Sequence, residues 1–191
     1  MRKNLLIILI ISLTILSCTT GNPEVTHKPY CIFEEEQFNK NFKDWQDLNI
    51  SDYSFTWCLH WVTPNENIYG SVTRHGEEYS VEISYKEEYY QNENSKKRIP
   101  KEGDAAYITS IDDAFNLIKS TYEEQKKLFD KGELFSVTAS VNYDKQHFFP
   151  ESANVDSKEK WDYEEEKDGV YVEPVGKRSM LSFSITEFKI L

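Results

Sequence analysis

The chain has 191 residues, with 33 Asp and Glu against 22 Lys and Arg and a formal net charge of −11. A body this acidic does not bind nucleic acid by counterion release and is repelled by anionic lipid; its charge favours solubility and basic partners. Aromatic residues make up 14%, including 12 Tyr and 11 Phe, too many for a disordered acidic chain and well suited to strands.

Arg2 and Lys3 precede an apolar run from Leu5 to Leu16, broken only by Ser12 and Thr14. Ile15-Leu16-Ser17-Cys18 then runs directly into polar Thr19-Thr20-Gly21-Asn22-Pro23. A spanning helix wants about 20 apolar residues. A shorter run behind a basic start, ending in small polar residues, has the pattern of a secretory signal. The stretch resembles a bacterial lipoprotein signal, with Ile15 where the usual lipobox has leucine. The resemblance implies cleavage before Cys18, a diacylglycerol thioether on its sulfur and an acylated amine. Two or more lipid chains anchor stably, whereas one holds only marginally. Thr19 rather than Asp follows the cysteine, which favours the outer over the inner membrane under the best-known Gram-negative sorting rule. Residues 1–17 are thus expected to be a lipoprotein signal peptide, and residues 18–30 the lipidated N-terminus and a flexible tether. Residues 31–191 are expected to form one domain with a real core.

With Cys18 assigned to lipid, Cys31 and Cys58 remain in an exported, oxidising compartment. They can form one bridge, worth roughly 3–4 kcal/mol in the chain-entropy model. Alternatively they stay two free thiols, with Cys58 buried as a small hydrophobe.

Along the body, Phe38, Phe42, Trp45 and Leu48 make one apolar stripe behind Glu34-Glu35-Glu36, which predicts a helix over about 34–48 with acids at its positive end. Tyr53, Phe55, Trp57, Leu59 and Trp61 alternate with Ser54, Thr56, Cys58 and His60, the period of a strand. Pro64 to Asn67 breaks it. Tyr69–Arg74 and Glu78–Tyr85 read as a hairpin around Gly76, with one wet face. Glu87 to Asp104 reads as a mobile loop. Thr109 or Ser110 caps a helix running to about Lys131, with Gly132 as its stop. Leu134–Tyr143 and Phe148–Asp156 read as strands, Pro150 marking an edge or an irregular entry. The charged run through Asp168 reads as a solvated loop, Val170–Val175 as a short strand, and Met180 to about Phe188 as the last strand, with Phe188 out of register. The expected fold is a two-layer α+β domain: a mainly antiparallel sheet of about five to six strands with two helices on one face.

The order of these motifs resembles the DUF6174 family of bacterial lipoproteins and exported proteins. The features are Trp45, Tyr53-Ser54-Phe55-Thr56, Cys58, the His75-Gly76 turn, Ser110-Ile111-Asp112-Asp113 leading to Phe115 and Ile118, and Val141-Asn142-Tyr143-Asp144 followed by Phe149-Pro150 and Asp156. The chain departs from that pattern in three places. His60 stands where the family often has a second cysteine, His147-Phe148 replaces a glycine bend, and the stretch 157–178 is longer and more charged. The resemblance implies this order of elements and an envelope location, and it transfers no catalytic residue.

No catalytic residue, cofactor or metal is expected. Cys58 and His60 share one strand face and could hold zinc with His75 or His147, but a structural site needs four ligands and only two are placed. A Cys–His nucleophile pair lacks a helix N-terminus or a spaced base, and no Gly-x-Ser-x-Gly is present. Asp162 to Asp168 lacks the spacing of a calcium loop. The leading expectation is a non-enzymatic, lipid-anchored envelope protein that binds a protein or ligand through a sheet face or edge left open by the helices. The alternative is a metal-dependent or cysteine-based enzyme using Cys58, His60 and His147.

Overall fold

Strand β2 (Asp52–Leu59) shows the plainest link from sequence to packing. Tyr53, Phe55, Trp57 and Leu59 are all buried on one face, while Ser54 and Thr56 on the other are half-exposed. The computed structural model describes residues 29–60, 66–159 and 177–191, all within one compact unit. The signal segment, Cys18, most of the tether, Trp61, the acidic stretch Asp162–Asp168 and the strand expected over 170–175 lie outside the described residues.

Among the described residues seven strands form one sheet. They are β1 (Tyr30–Ile32), β2, β3 (Ile68–His75), β4 (Glu78–Tyr85), β5 (Leu134–Tyr143), β6 (Pro150–Glu159) and β7 (Lys177–Ile190). Their spatial order is β1-β5-β6-β7-β2-β3-β4. All pairs are antiparallel except β1 with β5. The sheet therefore exceeds the expected five to six strands. The added one, β1, has three residues and shows no period of its own; it forms by pairing Tyr30, Cys31 and Ile32 with Ser136, Val137 and Thr138.

Two long helices, α1 (Glu35–Asp47) and α3 (Ile111–Asp130), lie on one side of this sheet, with a single-turn helix α2 (Glu93–Lys96) between them in sequence. Ser110 caps α3, its Oγ accepting from the Asp113 amide at 3.1 Å, while Asp113 Oδ2 accepts from the Thr109 amide at 2.9 Å. This is a variant of the capping box: the N3 acid reaches the amide of the residue before the N-cap and not that of the N-cap itself. Gly132, at φ +80°, ends the helix in the left-handed region, where an L side chain is strained. α3 packs over β5, β6 and the near side of β7. α1 lies against it through Phe38 and Phe42, whose ring centroids stand 5.3 and 4.6 Å from Phe115. Trp45 meets Tyr53 edge-on at 5.5 Å and donates its indole proton to Asp112 at 2.8 Å. No helix among the described residues is long and apolar enough to cross a membrane.

The stretch expected as a mobile loop is tied down instead. A 3₁₀ turn at Glu87–Tyr89 and α2 interrupt it, and buried Tyr90 donates its hydroxyl to the Glu66 carbonyl. Its continuation carries fully buried Ile108 under the β2–β3 half of the sheet, where the Ile108 carbonyl accepts from Trp57 Nε1 at 3.0 Å. The Trp57 indole lies directly over Gly70, its partner on β3: a Cβ there would stand 2.1 Å from the ring.

Two irregularities in the sequence have physical causes. Phe188 falls out of the alternation because Glu187 adopts φ +56° and the β2–β7 register shifts beside it. One inserted residue turns Phe188 back to the helix side, where its ring meets Phe149 at 4.7 Å, Tyr53 at 5.8 Å and Trp45 at 5.9 Å. Pro150 opens β6, an interior strand, so its meaning is the irregular entry and not the edge; the β5–β6 register shifts where it begins.

Candidate functional site: the open face of the sheet

The registers place a set of small polar side chains on the face away from the helices. Thr138, Ser140 and Asn142 of β5 stand opposite Asp156, Asn154 and Ser152 of β6. Ser152 and Asn154 stand opposite Ser184 and Ser182 of β7. Thr186 and Ser184 stand opposite Thr56 and Cys58 of β2, and Ser54 and Thr56 opposite Thr73 and Ser71 of β3. Most of these positions are exposed or half-exposed. Ser140, Asn154, Asp156 and Ser179 line a shallow depression on this face. Short hydroxyl and amide side chains leave the surface flat, and they offer both donors and acceptors with little charge.

His60 is the focus of the face. Its amide donates to the Ser182 carbonyl at 2.8 Å, which carries the β2–β7 ladder past the end of β2. Its Nε2 lies 2.8 Å from Ser184 Oγ, and its Nδ1 lies 3.5 Å from both Cys58 Sγ and Asn67 Nδ2. Asn67 Nδ2 is also 3.5 Å from the Tyr69 hydroxyl. Partial burial pushes the His60 imidazole below its usual pKa, favouring the neutral ring. Burial pushes the Cys58 thiol up, against a smaller opposing effect of the Tyr69 hydroxyl, so Cys58 is a thiol and not a thiolate.

A hydroxyl at hydrogen-bond distance from a neutral imidazole has the distance of a nucleophile–base pair. The surroundings do not complete it. The groups on Nδ1 stand at long distances, and the strand amides around Ser184 belong to the β2 and β6 ladders, so none is aimed at a developing oxyanion. A raised thiol pKa works against the other candidate nucleophile, Cys58. The cluster orients one imidazole on a flat polar surface, an arrangement suited to hydrogen-bonding a bound group.

Of the residues of the alternative reading, Cys58 and His60 are brought together and His147 is not. His147 sits on the helix side, its Nδ1 3.0 Å from Asp144 Oδ1 and its ring 5.2 Å from Phe188. His75 pairs with Asp52 at 3.0 Å, at the far end of β2. Among the described residues no three His, Cys, Asp or Glu side chains gather as a metal site. Cys31 and Cys58 are both free thiols. β5, β6 and β7 stand between their strands, four interstrand steps or about 19 Å, where a bridge needs Cα atoms within about 7 Å. The bridge expected as one of two options is therefore not made, and the buried-thiol option describes Cys58, which is 4% exposed. Sequence reasoning reached Cys58 and His60 but not Ser184, Asn67 or Tyr69. Ser182, Ser184 and Thr186 were legible as a polar strand face, but the pairing of β7 with β2 was not.

β4 ends the sheet on the side of the hairpin, and no described strand pairs with its outer edge. Compared with protein-family models, curated proteins and solved structures, the chain matches none.

Proposed function

We propose that this chain is a lipid-anchored protein of the bacterial cell envelope that works by binding, through the side of the sheet its helices leave open. Cys18 is the lipidation site in this reading, and the outer membrane is its more fitting location. No cofactor and no nucleic acid enters it. Membership of the DUF6174 family belongs to the same proposal and rests on the motif order alone. One observation carries the binding reading: a broad polar face with a free edge, uncovered among the described residues, while the residues able to do chemistry are dispersed or under-supported. The alternative, a metal-dependent or cysteine-based envelope enzyme, keeps one observation, the 2.8 Å contact of Ser184 and His60 beside Cys58.

The test is affinity capture of the full-length lipidated protein from its own envelope after mild crosslinking, with a Ser71→Arg/Asn154→Arg variant alongside. Both positions are exposed on the open face, so the arginines obstruct the surface without entering the core. A stoichiometric partner held by the parent and lost by the variant supports the reading. No partner, together with loss of envelope function in His60→Ala, favours the enzyme. Cys18→Ser protein that still fractionates with membranes overturns the anchor.

A further inference from the structure

We propose that β4 is a docking edge for a basic, strand-forming segment of another protein, which adds to the sheet as an eighth strand. The inference rests on the binding reading and names the element and the partner chemistry. Sheet edges invite added strands, and proteins blunt them with short strands, bulges, prolines or lysines. The two edges here differ sharply. β1 has three residues. β4 has eight, pairs with β3 without a register shift along its whole length, and contains no Pro, Gly or Lys. Alternate residues of a strand aim N–H and C=O away from the neighbour already paired, and no described backbone group meets those of β4. The edge is thus long, regular and open.

Its two faces set the chemistry of the strand that fits. Tyr79, Val81, Ile83 and Tyr85 point to the helix side, opposite Arg74, Val72, Gly70 and Ile68. Val81 and Ile83 are half-buried, whereas Tyr79 and Tyr85 keep 44% and 37% of their surface exposed. Glu78, Ser80, Glu82 and Ser84 point to the open face. Residues 77–88 hold five Glu and one Lys. A second copy of the strand fits less well than a basic one: centred antiparallel on Glu82 it sets that acid opposite its own counterpart, centred on Ser80 it sets Glu78 opposite Glu82, and centred on Val81 it sets each Glu only opposite a Ser, leaving both acids without a countercharge. Like charges directly opposed across strands destabilise the pair. A strand with aliphatic or aromatic residues on one side, and Lys or Arg four residues apart on the other, meets every feature at once. Backbone bonds supply affinity and the alternating side chains supply selection.

The probe is a capped nine-residue peptide in which valines alternate with threonines and two lysines, the lysines four residues apart, with a counterpart carrying glutamates in their place. Each is titrated into the full-length protein while backbone hydrogen exchange is followed. The lysine peptide is expected to bind and to protect amides within 78–85, and the glutamate peptide is expected not to. A Glu78→Lys/Glu82→Lys variant, altered only at exposed positions, is expected to invert that preference by roughly tenfold or more. No binding of either peptide up to millimolar concentration, protection elsewhere in the sheet, equal binding by the charge-reversed variant, or a parent that dimerises through β4 would each overturn the assignment. If native capture still yields a partner that the open-face arginines remove, the edge assignment alone has failed and the binding reading stands.

Discussion

Replacing Gly70 by alanine tests the packing argument where two effects have opposite signs. Gly70 lies inside β3 and outside the left-handed region, so backbone considerations favour alanine by about 0.5–1 kcal/mol. Packing opposes it. The new methyl would meet Trp57 Cε2 at 2.1 Å, Cζ2 at 2.2 Å and Nε1 at 2.5 Å, and Trp57 is 0% exposed, so the ring has no solvent to swing into. Overpacking of this kind costs about 1–3 kcal/mol. Displacing the indole also breaks its 3.0 Å bond to the Ile108 carbonyl, and a buried acceptor left without a partner costs about 1–3 kcal/mol more. The expected net loss is about 1–5 kcal/mol, a large share of an ordinary stability of about 5–15 kcal/mol. Urea denaturation of parent, Gly70→Ala, Trp57→Leu and the double variant measures it. Trp57→Leu alone destabilises through its cavity, but in that background the glycine replacement should cost little or become favourable. A Gly70→Ala protein as stable as the parent, or one equally destabilised with and without the indole, would refute the account.

Three further outcomes follow from the same structure. Ser110→Ala should lower stability by about 1 kcal/mol, the usual value of an N-cap, and Ser110→Asp should recover most of it; equal midpoints for all three would show that the cap is idle. Reductant should leave the thermal midpoint unchanged, because Cys31 and Cys58 stand apart as free thiols; a drop of several degrees would mean that they are bridged. Burial holds the His60 pKa below its usual value of about 6.5, so the unfolded chain binds a proton there before the folded one does. Its contribution is therefore present above about pH 6.5 and is lost as pH falls through the folded pKa. Asp52, whose carboxyl is lowered mainly by Ser51 and then by His75, acts with the same sign but lower down, in the acidic range of carboxylates. Between pH 7.5 and 5.0 the parent should lose more stability than His60→Asn; parallel curves would contradict this.

Wherever a local period decided the outcome, the sequence was readable. The alternation from Tyr53 to Leu59 placed β2 and its buried face, the Phe38–Phe42–Trp45 spacing placed α1, and Ser110 with Gly132 marked both ends of α3. What escaped was set by contacts distant in sequence. β1 forms only where Tyr30–Ile32 meets the first half of β5, at Ser136–Thr138. The segment 87–104 looks like a polar loop because most of its side chains are solvated, and a few buried ones, Tyr90 and Pro100 among them, anchor it. The site was half legible for the same reason. Cys58 and His60 share a face by their spacing of two, but Ser184 reaches them only because β7 inserts between β2 and β6. His147 was grouped with them on residue type alone, and the turn at Asp144 holds it on the other side.

The central position of β7 has a kinetic consequence. β7 joins β1-β5-β6 to β2-β3-β4, and its contacts close long loops, such as the 131 residues between Thr56 and Glu187. Until β7 docks, any partial sheet on either side of it keeps an unsatisfied inner edge beside the apolar faces that will become the core. Such long-range closure is slow, and the waiting state is prone to aggregate.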